Sequence, residues 1–159
     1  MDPLLKLLSQ NARLSTSELA VMLGKTEKEV ADDIKNYERA GVIKGYSAII
    51  NEELACKDHV VAFIELKVSP KANYGYDEIA RLVSSYKEVE NVSLMSGAYD
   101  LSVTVKGNSL KEVASFVSER LAKIDGVLST ATHFVLQRYK EKGIMICQDE
   151  IDERGFVSP

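Results

Sequence analysis

Lys28, Lys35, Asn36 and Arg39 fall on one side of a helical projection of residues 27–39, with Val30, Ile34 and Tyr37 on the other. Side chains of this kind do two things on a nucleic acid. Lysine and arginine displace counterions from phosphates, and asparagine and arginine hydrogen-bond base edges. Lys25 and the hydroxyls of Ser15, Thr16 and Thr26 stand where two helices would start, positions at which a phosphate meets free backbone amides. The same residues serve equally well as helix caps and solvated surface, and the outward set also holds Glu27, Ala31 and Asp32. From Thr26 to Ala40, Lys28, Lys35 and Arg39 stand against Glu27, Glu29, Asp32, Asp33 and Glu38, a net of −2. Such a helix is repelled by phosphate. A carboxylate can accept from cytosine N4, but only with basic neighbours to hold the helix on the backbone.

The elements that would position these residues are written in local signals. Ser15 with Glu18, and Thr26 with Glu29, have the spacing of capping boxes. Leu19, Ala20 and Leu23 form an apolar stripe ended by Gly24, and the stripe of Val30, Ile34 and Tyr37 is closed by Gly41. The spacing predicts a helix-turn-helix. A helical hairpin with no DNA role would show the same periodicity. Leu4, Leu5, Leu7 and Leu8, opened by Pro3, predict a preceding helix ending around residues 11–13. The run VIKGYSAIIN (42–51) predicts a strand leading out, and the polar NEELACKD (51–58) a linker.

From Val60 the period changes to two. Val60, Ala62, Ile64, Leu66 and Val68 alternate with Val61, Phe63, Glu65 and Lys67 until Pro70. A helix is expected over 77–89 with Ile79, Leu82, Val83 and Tyr86 inward, then strands over 92–96 and 100–106 joined by a turn at Gly97-Ala98. Ser109 with Glu112 predicts a third capping box, opening a helix with Leu110, Val113, Ala114, Val117, Leu121 and Ile124 inward. Val127 to Tyr139 reads as the last strand, before a polar tail with a short apolar run at 144–146. The class is α+β, with a βαββαβ or ferredoxin-like order. Its open sheet face would carry Val61, Phe63, Met95, Ala131, His133 and Val135, apolar enough to predict at least a dimer. The N-terminal domain or the tail could cover that face instead. The expected organisation is a DNA-binding domain at 1–45, hinge strand and linker at 46–58, the ferredoxin-like domain at 59–142 and a tail at 143–159.

Composition bounds the partners. The net charge is −4 and the pI about 5.3, so no global basic field draws this chain to nucleic acid. The first 45 residues are neutral, with seven cations against seven anions. Cys56 and Cys147 have no ligand-spaced partners, and no metal or cofactor is expected. No run has the length of a membrane span and no signal peptide opens the chain, so a reducing cytoplasm is the default expectation. His59 and His133 are the only histidines, and no nucleophile has a base nearby in sequence, so no enzymatic activity is expected.

LLKLLSQNARLSTSELAVMLG, ERAGVIKGYSAIIN, SGAYDLSVTVKG with its Gly97 and Asp100, and IDGVLSTATHFVLQRYK stand in that order over residues 1 to about 142. Together they resemble the Lrp/AsnC (feast/famine) transcription regulators. The resemblance implies a winged helix-turn-helix joined to a ferredoxin-like, RAM-type domain. It further implies binding to double-stranded DNA and homodimers that assemble into tetramers or octamers. It also implies a small effector, typically an amino acid, held at contacts between dimers. Carried over by position, Ser96, Gly97, Ala98, Tyr99 and Asp100 would line that site, with Thr130 and Thr132 from the last strand. Amides around a glycine turn suit a carboxylate, and Asp100 suits an ammonium group; turn-making and capping would explain Gly97 and Asp100 as well. Asp32 and Asp33 stand where the family carries basic residues. That departure raises an alternative: a metabolite-sensing or co-assembly module whose DNA binding is weak or lost.

Overall fold

Two complete capping boxes and two left-handed glycines set the helices of the N-terminal unit. A computed structural model describes residues 1–55, 59–69 and 75–146. In it α1 (Pro3–Gln10) starts at Asp2, whose Oδ1 accepts from Leu4 N–H at 2.8 Å. In α2 (Thr16–Leu23) Ser15 Oγ accepts from Glu18 N–H at 3.2 Å, while Ser15 N–H donates to Glu18 Oε2 at 2.8 Å. Thr26 and Glu29 repeat this pair at the start of α3 (Glu27–Arg39). Gly24 (φ 64°) and Gly41 (φ 70°) take the left-handed conformation that ends each helix. Leu4, Leu19, Ala20 and Val30 are fully interior, ringed by Leu7, Leu8, Leu14, Leu23, Ile34 and Tyr37. Each large side chain so buried stabilises the unit by about 1.5–3 kcal/mol before entropy is counted.

The strand expected over residues 42–51 does not form. The residues are β-prone, but no described strand forms a ladder with them, and a strand without a ladder leaves its amides to water. The expected linker instead contains a one-turn helix, α4 (Glu52–Ala55); the rest of it, residues 56–58, lies outside the described residues, as do Pro70 and both cysteines.

The second compact unit begins at Ile50. Its elements are β1 (Val60–Val68), α5 (Tyr76–Ser84), β2 (Val89–Leu94), β3 (Leu101–Gly107), α6 (Leu110–Glu119) with a 3-10 turn at Leu121–Lys123, and β4 (Val127–Phe134). The sheet is antiparallel in the order β2-β3-β1-β4. Ala62, Ile64, Leu66 and Val68 of β1 and Leu101, Val103 and Val105 of β3 face the helices. They close on Ile79, Val83, Val113, Phe116, Val117, Leu121 and Ile124. Leu82, Leu110 and Ala114, expected inward, are exposed, because the helices touch the sheet along a stripe narrower than their apolar arcs. Helix α5 ends at Ser84, before the expected 89, and β4 ends at Phe134 rather than Tyr139. The chain then makes a small hairpin, β5 (Lys140–Glu141) and β6 (Ile144–Met145), turning at Lys142-Gly143. At Ser109 the third box is altered: the hydroxyl accepts from Glu112 N–H, but the carboxylate caps Asn108 N–H.

The open face is divided. Val61, Phe63, Ala131 and His133 line its β1–β4 half, but Ser102, Thr104 and Lys106 line the β3 half beside Ser93 of β2. Val61 is only 8% exposed, at the end beside Asn51, Glu52 and Val135. There Asn51 Nδ2 donates to Ile146 O at 3.1 Å and Lys106 pairs with Glu52. Asn51 and Glu52 of the linker and residues 135–146 thus meet at one end of this face, and the rest of the tail lies outside the described residues.

Candidate nucleic-acid interface and effector loop

Helix α3 sorts its charges. Lys28, Asp32, Lys35 and Arg39 follow one another at i, i+4, i+7 and i+11, all exposed and opposite buried Val30; Asn36 borders them. The other acids face elsewhere or are engaged. Glu29 caps its own helix, Asp33 holds Lys25 (Nζ to Oδ2, 2.7 Å), and Glu38 accepts from the Tyr46 hydroxyl at 2.9 Å. Glu27, exposed and the first residue of the helix, lies about 100° round the axis from Lys28, so the narrow stripe itself carries three cations against one anion, although the helix as a whole is acidic. At a rise of about 1.5 Å per residue Lys28 and Arg39 stand roughly 16 Å apart along the axis.

Four of the candidate contacts belong to the helix starts. The hydroxyls of Ser15 and Thr26 each donate to their box carboxylate at 2.8 Å, so both are committed to capping. Those bonds, the backbone amide first and the hydroxyl second, hold the Glu18 and Glu29 carboxyls below their usual range. The Asp33 hydrogen bond raises the Lys25 ammonium above its usual range. Thr16 is half-buried as the first residue of α2. Nothing in the sequence signals the Lys25–Asp33 pair, because Lys25 precedes the helix and helical spacing does not relate the two.

Ser96, Gly97, Ala98, Tyr99 and Asp100 lie in the β2–β3 connection, closed by Met95 N–H donating to Asp100 O at 2.8 Å. Asp100 ties this loop to the central strand twice. Its amide donates to Leu66 O at 3.0 Å, and its Oδ2 accepts from Val68 N–H at 2.8 Å. The carboxylate stands in for the ladder carbonyl that β3 no longer supplies there. Gly97 is not left-handed, and a Cβ on it would meet nothing within 4 Å. The turn does not need glycine at that position. Tyr99 packs edge-on to Phe63 (centroids 6.1 Å, 77°). On the other flank of Phe63 lies His133 (6.2 Å), whose Nε2 is 3.5 Å from Glu65 Oε1. Alternation puts Phe63 and His133 on one face; the Tyr99 contact depends on loop geometry and is not visible in sequence. Thr130 and Thr132 pair with Leu66 and Ile64 and so turn toward the helix side. Within one chain they do not share a face with the Tyr99 ring. No cluster among the described residues could hold a metal ion, and no described helix is long and apolar enough to cross a membrane.

A three-helix DNA reader followed by an antiparallel ligand-binding domain is the build of a transcriptional regulator. Residues 4–44 match the model of a winged helix-turn-helix DNA-binding domain, and residues 61–145 that of the Lrp/AsnC ligand binding domain. An uncharacterized HTH-type transcriptional regulator of Bacillus subtilis, YugG, is 42% identical over 98% of this chain and 95% of its own. The proline dehydrogenase transcriptional activator of Rhizobium radiobacter is 28% identical over 89% of this chain and 90% of its own. Among solved structures, Escherichia coli AsnC superposes with a TM-score of 0.67 at 25% identity, over 91% of this chain and 97% of that one. A Neisseria meningitidis regulator solved as an L-Met complex, NMB0573, gives 0.70 at 24% identity, over 89% and 93%. The chain belongs to the Lrp/AsnC family of transcriptional regulators.

Proposed function

We propose that this regulator binds operator DNA sequence-specifically through α3. Lys28, Lys35 and Arg39 would take phosphates, Asn36 would reach a base, and the helix starts at Ser15, Thr16, Lys25 and Thr26 would approach the backbone. The observation that carries this reading is the sorting of charge on α3: the helix is acidic, but its outward stripe is not. Phosphate contacts are local, so the stripe decides and the net charge does not.

The C-terminal domain would bind an amino acid at Ser96–Asp100. Gly97 leaves its amides open to a carboxylate, and Asp100 retains one oxygen for an ammonium group. Homodimers would form through the apolar half of the open sheet and assemble further. Thr130 and Thr132 would reach a loop on another copy along the exposed β4 edge. The L-Met complex of the Neisseria protein supports this class of ligand.

The test is fluorescence anisotropy with the DNA upstream of the chain's own gene against a scrambled duplex, at low and physiological salt. Specific binding that weakens steeply with salt supports the reading. No difference between the duplexes would overturn it, and the co-assembly module, favoured by the capture of Lys25 by Asp33, would take its place.

A further inference from the structure

Asp32 is the one anion on the outward stripe of α3, and nothing in the unit answers it. Glu29, Asp33 and Glu38 each have a partner; Glu27 and Asp32 make no hydrogen bond or ion pair among the described residues, and of these two only Asp32 is in line with Lys28, Lys35 and Arg39. It lies between the cations: one turn beyond Lys28, three residues before Lys35 and seven before Arg39. With this stripe turned into a major groove, Asp32 faces the base edges between the cations, roughly 6 Å along the axis from Lys28 and 10 Å from Arg39.

We infer that Asp32 is a specificity-determining residue that selects cytosine at one position of each operator half-site. The inference rests on the operator-binding reading above and deepens it. A carboxylate only accepts. In the major groove cytosine presents a lone N4 amino donor, which suits it. Guanine presents two acceptors and thymine an acceptor with a methyl group, so both repel or exclude it. Adenine sets its N6 donor beside the N7 acceptor, and N7 opposes the second carboxylate oxygen. The cations at 28, 35 and 39 supply the grip that an acidic reader lacks on its own. Asp32 thereby lowers affinity for DNA in general and restores it at one base, which is discrimination by rejection as well as attraction.

The experiment is selection from a randomised duplex library by the full chain, comparing the native protein with Asp32→Asn and Asp32→Ala. Because Asp32 is exposed and unpartnered, both variants should keep the native circular dichroism spectrum. The native protein should enrich C at one position per half-site, with about a tenfold loss when that pair is changed. Asp32→Asn should move the preference there to A, since an amide matches the N6/N7 pair, and leave the other positions alone. Asp32→Ala should lose the preference and bind arbitrary duplexes more tightly. If the three proteins enrich one and the same motif, the inference is overturned and operator binding stands. If the native protein binds duplex but enriches no motif, the operator reading itself is overturned.

Discussion

Lys25 and Asp33 are joined, Nζ to Oδ2, across 2.7 Å, so the cation at the mouth of α3 is held along the flank of that helix. Both side chains are more than a third exposed, and such pairs contribute little to stability. Their effect is on the field that DNA would meet. Asp33→Ala should release Lys25 and remove a charge. Binding to any duplex should tighten several-fold, the salt dependence should steepen by about one phosphate contact, and the melting temperature should hardly move. Anisotropy titrations at three salt concentrations would read all of this except stability, which a thermal melt reads.

Lys28→Ala and Arg39→Ala should each weaken binding by a similar factor on every sequence and flatten the salt slope by about one. Asn36→Ala should act differently, costing most on the preferred operator and leaving the salt slope unchanged, because an amide neutralises no phosphate. Equal losses on operator and scrambled DNA for Asn36→Ala would assign it to the backbone.

Asp100 has two separable tasks. Asp100→Ala leaves the Val68 amide at the buried end of β1 without its acceptor and should cost about 1–3 kcal/mol of stability. Asp100→Asn keeps an acceptor oxygen, so most of that stability should survive while affinity for an ammonium group falls. Gly97→Ala should leave the melting temperature unchanged, since the added methyl meets nothing, and weaken the ligand all the same. Thermal shifts with a panel of amino acids, run on the three variants, would separate the tasks.

Acid should loosen the starts of α2 and α3. The Glu18 and Glu29 carboxyls sit below the usual value of 4.5 because the amide and hydroxyl of Ser15 and Thr26 donate to them. A carboxyl lowered on folding stabilises fully above its unfolded value and loses that contribution as pH falls through the lowered one. Helix content followed from about pH 5 to about pH 3 should fall more steeply in the native chain than in a Glu18→Gln/Glu29→Gln variant. Thr26→Ala should cost about 1 kcal/mol at neutral pH.

Signals confined to neighbouring residues are the ones the sequence states clearly. Ser15–Glu18, Thr26–Glu29, Gly24 and Gly41 are caps whose partners lie within four residues, and the helices they bound form as expected. The alternation from Val60 to Val68 likewise assigns sheet faces, because period two is a property of the strand itself. Residues 42–51 fail for the opposite reason: β-prone composition does not supply a ladder partner. Leu82 and Leu110 fail because periodicity marks an apolar arc and not the width of the contact. At the site, summing charge over Thr26–Ala40 conceals where each charge points. Three acids that weigh against DNA in a count are spent on Thr26, Lys25 and Tyr46.

If α3 reads DNA as proposed, an anion amid its cations would also govern time. Every arbitrary stretch of a chromosome competes for such a protein, about a million sites or more, and each costs a residence. Three cations opposed by Asp32, with Lys25 tethered, would make those visits brief. The protein would then give up strength at its target for speed in reaching it.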